Sequence, residues 1–272
     1  IPLLLILTDI RRWTKQLVAD LISQGLGTGD VQIPFALRAA VWDVLCPLTE
    51  APDPTPEDEL AHDDAVSIAI NSTRGEAMHA VVRYALWVRR HIEQEPDGKG
   101  RAARGFDEMP EVREVLDLHL DPNHDPSVAI RSVYGRFFPW LVLLDAVWAA
   151  QQVPSVFAKE EAYRHLRDAA WSAYVCFCPA HDQVFAILRE DYEIAIGRIG
   201  TEDGGRTDGA KPQEHLAEHL MQFYWRGKLR LAEPAGPLER FYVKAPDALR
   251  GHAMAFVGRS LRNTEGAVPP TV

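Results

Sequence analysis

The fold class predicted from the sequence is all-α, in the form of an α-solenoid of stacked helical hairpins, with a non-repetitive multi-helix domain as the alternative. Three observations carry it. One pattern recurs, an arginine after an apolar residue, with further apolar residues three, four and seven positions on; it is clearest at Leu166–Val175, Leu249–Val257 and Thr73–Val81 and looser at Leu37–Leu45 and Ile130–Phe138. That spacing lies on one face of a 3.6-residue helix, so each copy builds an apolar stripe. The small residue at its third position (Ala77, Ala170, Ala253) would let a neighbouring helix approach closely. Lastly, no stretch alternates apolar and polar residues as a half-buried strand does.

The elements follow in order. Leu3–Gln24 reads as a helix with Leu4, Leu7, Leu17 and Leu21 on one side, ended by Gly25 and Gly27. Pro34–Leu45 is a second helix, its proline placed where the missing N–H costs nothing. Pro47–Asp58 carries four prolines among acids and reads as a linker or extended loop. Asp64–Ile70 leads into Thr73–Glu93, where Thr73 and Glu76 have capping-box spacing. Pro96–Gly105 is polar and expected to be flexible, and Pro110–Leu120 is a short helix closed by the turn Asp121–Pro126. Pro126–Phe137 and Pro139–Gln151 are predicted as two helices split by Pro139. Glu160–Phe177, Asp182–Ile199, Pro212–Tyr224, Pro237–Val243 and Pro246–Arg262 complete the helices, with a loop at Thr201–Pro212. The segmentation expected is an N-terminal hairpin over 1–46, a proline-rich linker over 47–63, a helical-repeat domain over 64–262 and a disordered tail over 263–272.

Composition narrows the function. The net charge of −10 disfavours a duplex nucleic-acid binder, because neutralising phosphates supplies most non-specific affinity. No apolar run is long enough to span a bilayer. Three cysteines cannot make a disulfide framework and suit a reducing cytosol, so the expected location is cytoplasmic. The chain begins at Ile, and Ile1–Leu7 is apolar almost all round. It is therefore expected to be a fragment of a larger protein that covers this stretch with residues upstream.

The arrangement apolar–Arg–x–x–Ala–x–x–apolar, matched best at Arg74, Arg167 and Arg250, resembles the second helix of HEAT-type repeats. The arginines at 38, 74, 131, 167 and 250 are spaced by 36, 57, 36 and 83 residues. The last interval is close to two units of about 40, the length of HEAT and armadillo repeats. The insert Pro96–Pro110 falls in the 57-residue interval. The pattern departs at Val41 and Tyr134, where alanine is expected. The resemblance implies that each arginine meets an aspartate near the preceding inter-helix turn, with Asp30, Asp64 and Asp125 as candidates. The Trp- and Tyr-rich helices are also similar to the helical C-terminal regions of large bacterial signalling and defence-type NTPases.

Candidate chemistry is sparse. His215, Glu218 and His219 spell H-x-x-E-H, the inverted zinc motif with two histidines one turn apart beside a catalytic Glu. Its third ligand would be Glu233, Glu239 or Glu265, and its bland reading is a pair of helix-surface histidines. Cys176, Cys178 and His181 have soft-ligand character for a structural zinc, with Cys46 or His165 as a fourth donor, against a reading as inert buried thiols. The seven tryptophans are expected mostly in the core, with Trp225 the best candidate for an exposed anchor. No catalytic, cofactor-binding or metal-ligating residue is assigned. The function expected is a non-catalytic bacterial scaffold that binds a protein partner or another domain of its own chain, with no nucleic acid, membrane or cofactor. The alternative is a zinc-dependent hydrolase using His215, Glu218 and His219.

Overall fold

A computed structural model describes residues 2–28, 32–62, 64–200, 211–231 and 233–262, with side chains from Trp13 onward. The side chains of Ile1–Leu7, Asp30, residues 201–210 of the expected loop and the expected tail 263–272 lie outside that description. The described chain is all-α, with no strand among the described residues. Contacts divide it into two units, residues 1–173 and 174–272.

The first unit holds α1 (Pro2–Gly25), α2 (Arg38–Thr49), α3 (Pro56–Ala61), α4 (Ala65–Ile70), α5 (Thr73–Glu93), α6 (Gly98–Ala102), α7 (Pro110–Leu120), α8 (Val128–Leu144) and α9 (Ala146–Val156). The next helix, α10 (Arg164–Phe177), runs across the boundary between the units. The centre is α5, which packs against α1, α2, α4, α6, α7 and α8. Being surrounded, it buries more than one stripe: Met78, Val81, Val82, Tyr84, Ala85, Trp87 and Val88 are all inside. Its N-cap is Ser72, whose side chain accepts from the Gly75 amide. The capping residue thus sits one position before the predicted Thr73, and Glu76 turns to His79 instead.

Prolines interrupt less than their local effect suggests. Pro139 lies inside an unbroken α8, and the break falls at Asp145, whose carboxylate caps α9 by accepting from the Trp148 amide. A single proline costs one ladder hydrogen bond and some bending. The flanking residues Val133, Phe138, Leu141 and Val142 are buried and hold the helix together. Pro47 likewise lies inside α2. The proline-rich segment 47–63 includes α3, started by a Thr55–Asp58 capping box. From α3, Glu59 reaches the N-terminus of α8, accepting from the amides of Val128 and Ala129 and from the Ser127 hydroxyl. A carboxylate there complements the helix dipole. The stretch expected to be flexible, Pro96–Gly105, forms α6 and enters a 3-10 turn that buries Phe106 against Trp148.

The pattern arginines do different jobs. Arg38 bonds Glu111 at 2.7 Å and the Tyr84 hydroxyl. Arg74 donates to the carbonyls of Ala51 and Pro54 and lies 3.5 Å from Asp125. Arg131 is buried and donates to the carbonyls of Leu120 and Ser155. Arg167 faces its neighbour Asp168, and Arg250 faces Asp247 at the surface. Of the two described candidates, Asp125 lies beside a pattern arginine, while Asp64 caps α4.

The second unit holds α11 (Asp182–Ile187), α12 (Arg189–Gly197), α13 (Pro212–Trp225), α14 (Pro237–Lys244) and α15 (Asp247–Arg262). The predicted helix Asp182–Ile199 is divided at Leu188 into α11 and α12. Here α13 packs on α15 and α12 on α14. Phe185 stacks on Phe223 with ring centroids 4.1 Å apart, and Tyr192 meets both edge-on.

Candidate functional site

The H-x-x-E-H stretch lies on α13, as its spacing requires, yet its two histidines face different surroundings. His219 is buried, with Nε2 2.9 Å from the Cys178 carbonyl and Nδ1 2.7 Å from the Tyr192 hydroxyl. A carbonyl only accepts, so Nε2 carries the proton, Nδ1 accepts, and Tyr192 donates to it. The Tyr192 oxygen then accepts from Tyr174, 2.9 Å away. Both ring nitrogens of His219 are engaged, so neither offers a lone pair to a metal. His215 is half-buried beside Glu218 at 3.4 Å, and Glu218 also receives His252 at 2.9 Å. Among the described residues no third donor joins His215 and His219.

Burial lowers the pKa of His219 to about 4, against a partial rise from its bond to the Cys178 carbonyl. The unfolded chain takes up that proton near pH 6.5, so between the two values the unfolded state binds one more proton than the folded state. Stability contributed by neutral His219 is therefore present above about pH 6.5 and lost as pH falls toward 4. The difference in urea unfolding free energy between wild type and His219→Gln should shrink over that window, by up to about 3 kcal/mol. A difference independent of pH from 7 to 4.5 would contradict the buried neutral ring.

The cysteines form no disulfide. Cys178 is buried and Cys176 half-buried in the second unit, and they do not form a metal-ligand group with His181. Cys46 belongs to the first unit, where burial, aided by Glu50 and Glu114, raises its thiol pKa.

Two features stand out where no sequence motif points. One is a cluster of Glu50, His119 and His124, whose donor atoms all lie within 4.8 Å of one another. Glu50 is the C-cap of α2, His119 sits in the last turn of α7, and His124 lies in the turn that follows. Glu50 Oε1 is 3.5 Å from Nε2 of both histidines. Behind His119, buried Asp125 accepts from Nδ1 at 2.7 Å and is itself fixed by the Ser127 amide and by Arg74. Only the pair His119 and His124 with an adjacent Asp hints at this in the sequence, because Glu50 joins from a distant helix.

The other feature is apolar. Trp13, Leu17 and Leu21 recur every four residues on α1 and are 78%, 56% and 57% exposed. The opposite side of α1, Ala19 and Ser23, is buried, and Arg83 of α5 donates to Ser23 at 2.7 Å. The tryptophans are thus less internal than expected: Trp87 and Trp148 are buried, Trp42, Trp171 and Trp225 are half-buried, and Trp13 and Trp140 are exposed. Among the described residues no helix is long and apolar enough to cross a membrane. No family model matches this chain, and no match was found among curated proteins or solved structures.

Proposed function

We propose that this chain is a non-catalytic helical-repeat scaffold that binds a protein partner, or another domain of the same polypeptide, through the outer face of α1. One observation carries the reading: among the described residues, Trp13, Leu17 and Leu21 leave an apolar row of α1 exposed, while the opposite side, Ala19 and Ser23, is buried in the first unit. Trp13, Leu17 and Leu21 present a ladder one helical turn apart, the geometry by which an apolar helix face engages a partner groove or helix. An exposed tryptophan at the end of such a ladder is the residue type most enriched at binding hot spots. The solenoid arrangement is part of the same proposal, supported by the recurrent helix pattern and by Arg38, Arg74 and Arg131, each of which ties its helix to a neighbouring segment. The setting proposed is the bacterial cytoplasm.

The test is a Leu17→Glu/Leu21→Glu variant. Both side chains are exposed, so stability should stay within about 0.5 kcal/mol per site of wild type. Specific partners recovered with the wild-type chain from its native cells, and self-association at high concentration, should both be lost. Unchanged association in a variant with unchanged circular dichroism would remove α1 as the binding face.

A further inference from the structure

We propose that Glu50, His119 and His124 hold one zinc ion, with a fourth coordination position open to solvent. The site joins the end of α2 to the end of α7 and the turn before α8, and it is independent of the α1 face.

The proton positions come first. The Asp125 carboxylate can only accept, so its 2.7 Å bond to His119 fixes the ring proton on Nδ1. Nε2 is then the nitrogen turned toward Glu50 and His124. That nitrogen is buried, has no hydrogen-bond partner among the described residues, and belongs to a side chain only 1% exposed. Across from it, 3.5 Å away, stands the Glu50 carboxylate oxygen, so a cation seated between them would give this buried nitrogen the partner it lacks. An orienting carboxylate behind the ring is also the arrangement that prepares a histidine to ligate zinc, since it sets the tautomer and raises the basicity of the ligating nitrogen.

The distances fit the ion. Two donors about 2.0–2.1 Å from a tetrahedral centre stand about 3.3 Å apart, and an octahedral edge would be about 3.0 Å. Glu50 Oε1 to each histidine Nε2 is 3.5 Å, so a small contraction brings these two edges to tetrahedral length, with all three donor atoms within 4.8 Å of one another. Two imidazoles and one carboxylate are a zinc ligand set, and three protein donors leave one position for water. Glu50 is 52% and His124 33% exposed, which places that position at the surface and provides a path for the ion. Glu50 and His119 also come from the C-terminal ends of their helices, where the helix dipole favours a cation.

The experiment uses the full chain, stripped with a chelator, reloaded with zinc sulfate, and titrated against a chromogenic chelator, with metal content measured by mass spectrometry. Wild type should retain about one zinc per chain and melt at a higher temperature with zinc than without. His124→Ala and Glu50→Gln change exposed side chains and keep the fold. Each should weaken zinc by more than the roughly 10–100-fold expected for the outer-shell change Asp125→Asn. His215→Ala should bind as wild type does. Failure of the wild-type chain to compete for zinc would overturn the proposal. Zinc retained unchanged in both His124→Ala and Glu50→Gln, or lost in His215→Ala, would overturn it as well.

Discussion

Trp87→Ala is expected to destabilise the first unit by about 3–5 kcal/mol, the range for removing a large aromatic side chain from a packed core. Trp87 is 0% exposed at the centre of α5. Its ring meets Phe35 edge-on at 5.1 Å, Tyr84 at 5.7 Å and His91 at 5.2 Å. The cavity would open between α5 and the segment leading into α2, where the neighbours are themselves rings that cannot collapse far. Trp87→Phe separates packing from polarity. The indole N–H is buried without a hydrogen-bond partner among the described residues, and an unsatisfied buried donor costs about 1–3 kcal/mol. Removing it offsets part of the lost volume, so Trp87→Phe should cost less than about 1.5 kcal/mol. Urea midpoints of the two variants decide the matter. A Phe variant as damaged as the Ala variant would mean that the N–H has a partner.

Trp87 is fully buried while Trp171, four residues after Arg167 in the recurring pattern, is only half-buried, which shows what periodicity conveys. The spacing after Arg167 marks a helix and its inner stripe, and Leu166, Ala170 and Tyr174 of that stripe are buried. Trp171 lies at the edge of the same stripe, half-buried, with its ring 6.3 Å from Phe157. A side chain one position off the stripe axis has the same sequence signature as one on it. Helix starts are local events, so those of α1, α5 and α7 follow directly from the sequence, with ends adjusted by caps such as Ser72. Whether a helix continues through a proline is decided by its neighbours. Pro139 and Pro154 sit inside α8 and α9 because the surrounding side chains pack well enough to outweigh one missing bond.

The same distinction separates the two histidine sites. H-x-x-E-H is visible because its members are contiguous, but contiguity does not say which way a ring faces. His219 faces inward to Tyr192 and Cys178 while His215 is half-buried beside Glu218. Glu50, His119 and His124 carry no contiguous signature. They meet only because α2 and α7 both pack on α5, a tertiary fact. The exposed side of α1 was half legible: the sequence shows Leu17 and Leu21 in one apolar row, and packing shows that the opposite row is the one buried.

Gly135→Ala should destabilise the first unit by about 3 kcal/mol or more, at or beyond the upper end for overpacking. A methyl group added at Gly135 in α8 would stand 2.0 Å from the carbonyl oxygen of Ala170 in α10 and 2.7–2.8 Å from its carbonyl carbon and Cα. All three atoms are backbone, so no rotamer change relieves the clash, and one helix must move away from the other. Helix propensity acts the other way, favouring Ala over Gly by about 1 kcal/mol. Gly100→Ala in α6 isolates that opposing effect, because nothing lies within 4 Å of its added methyl. That variant should be neutral or stabilised by up to about 1 kcal/mol. Denaturant midpoints with unchanged slopes would measure both. The contact also explains the small residue three positions after the arginine in the recurring pattern: Ala170 is where the backbone of α10 comes against that of α8, and only a glycine opposite permits the approach. Equal midpoints for the two glycine variants would show that the helices stand farther apart and that the alanine needs another reason.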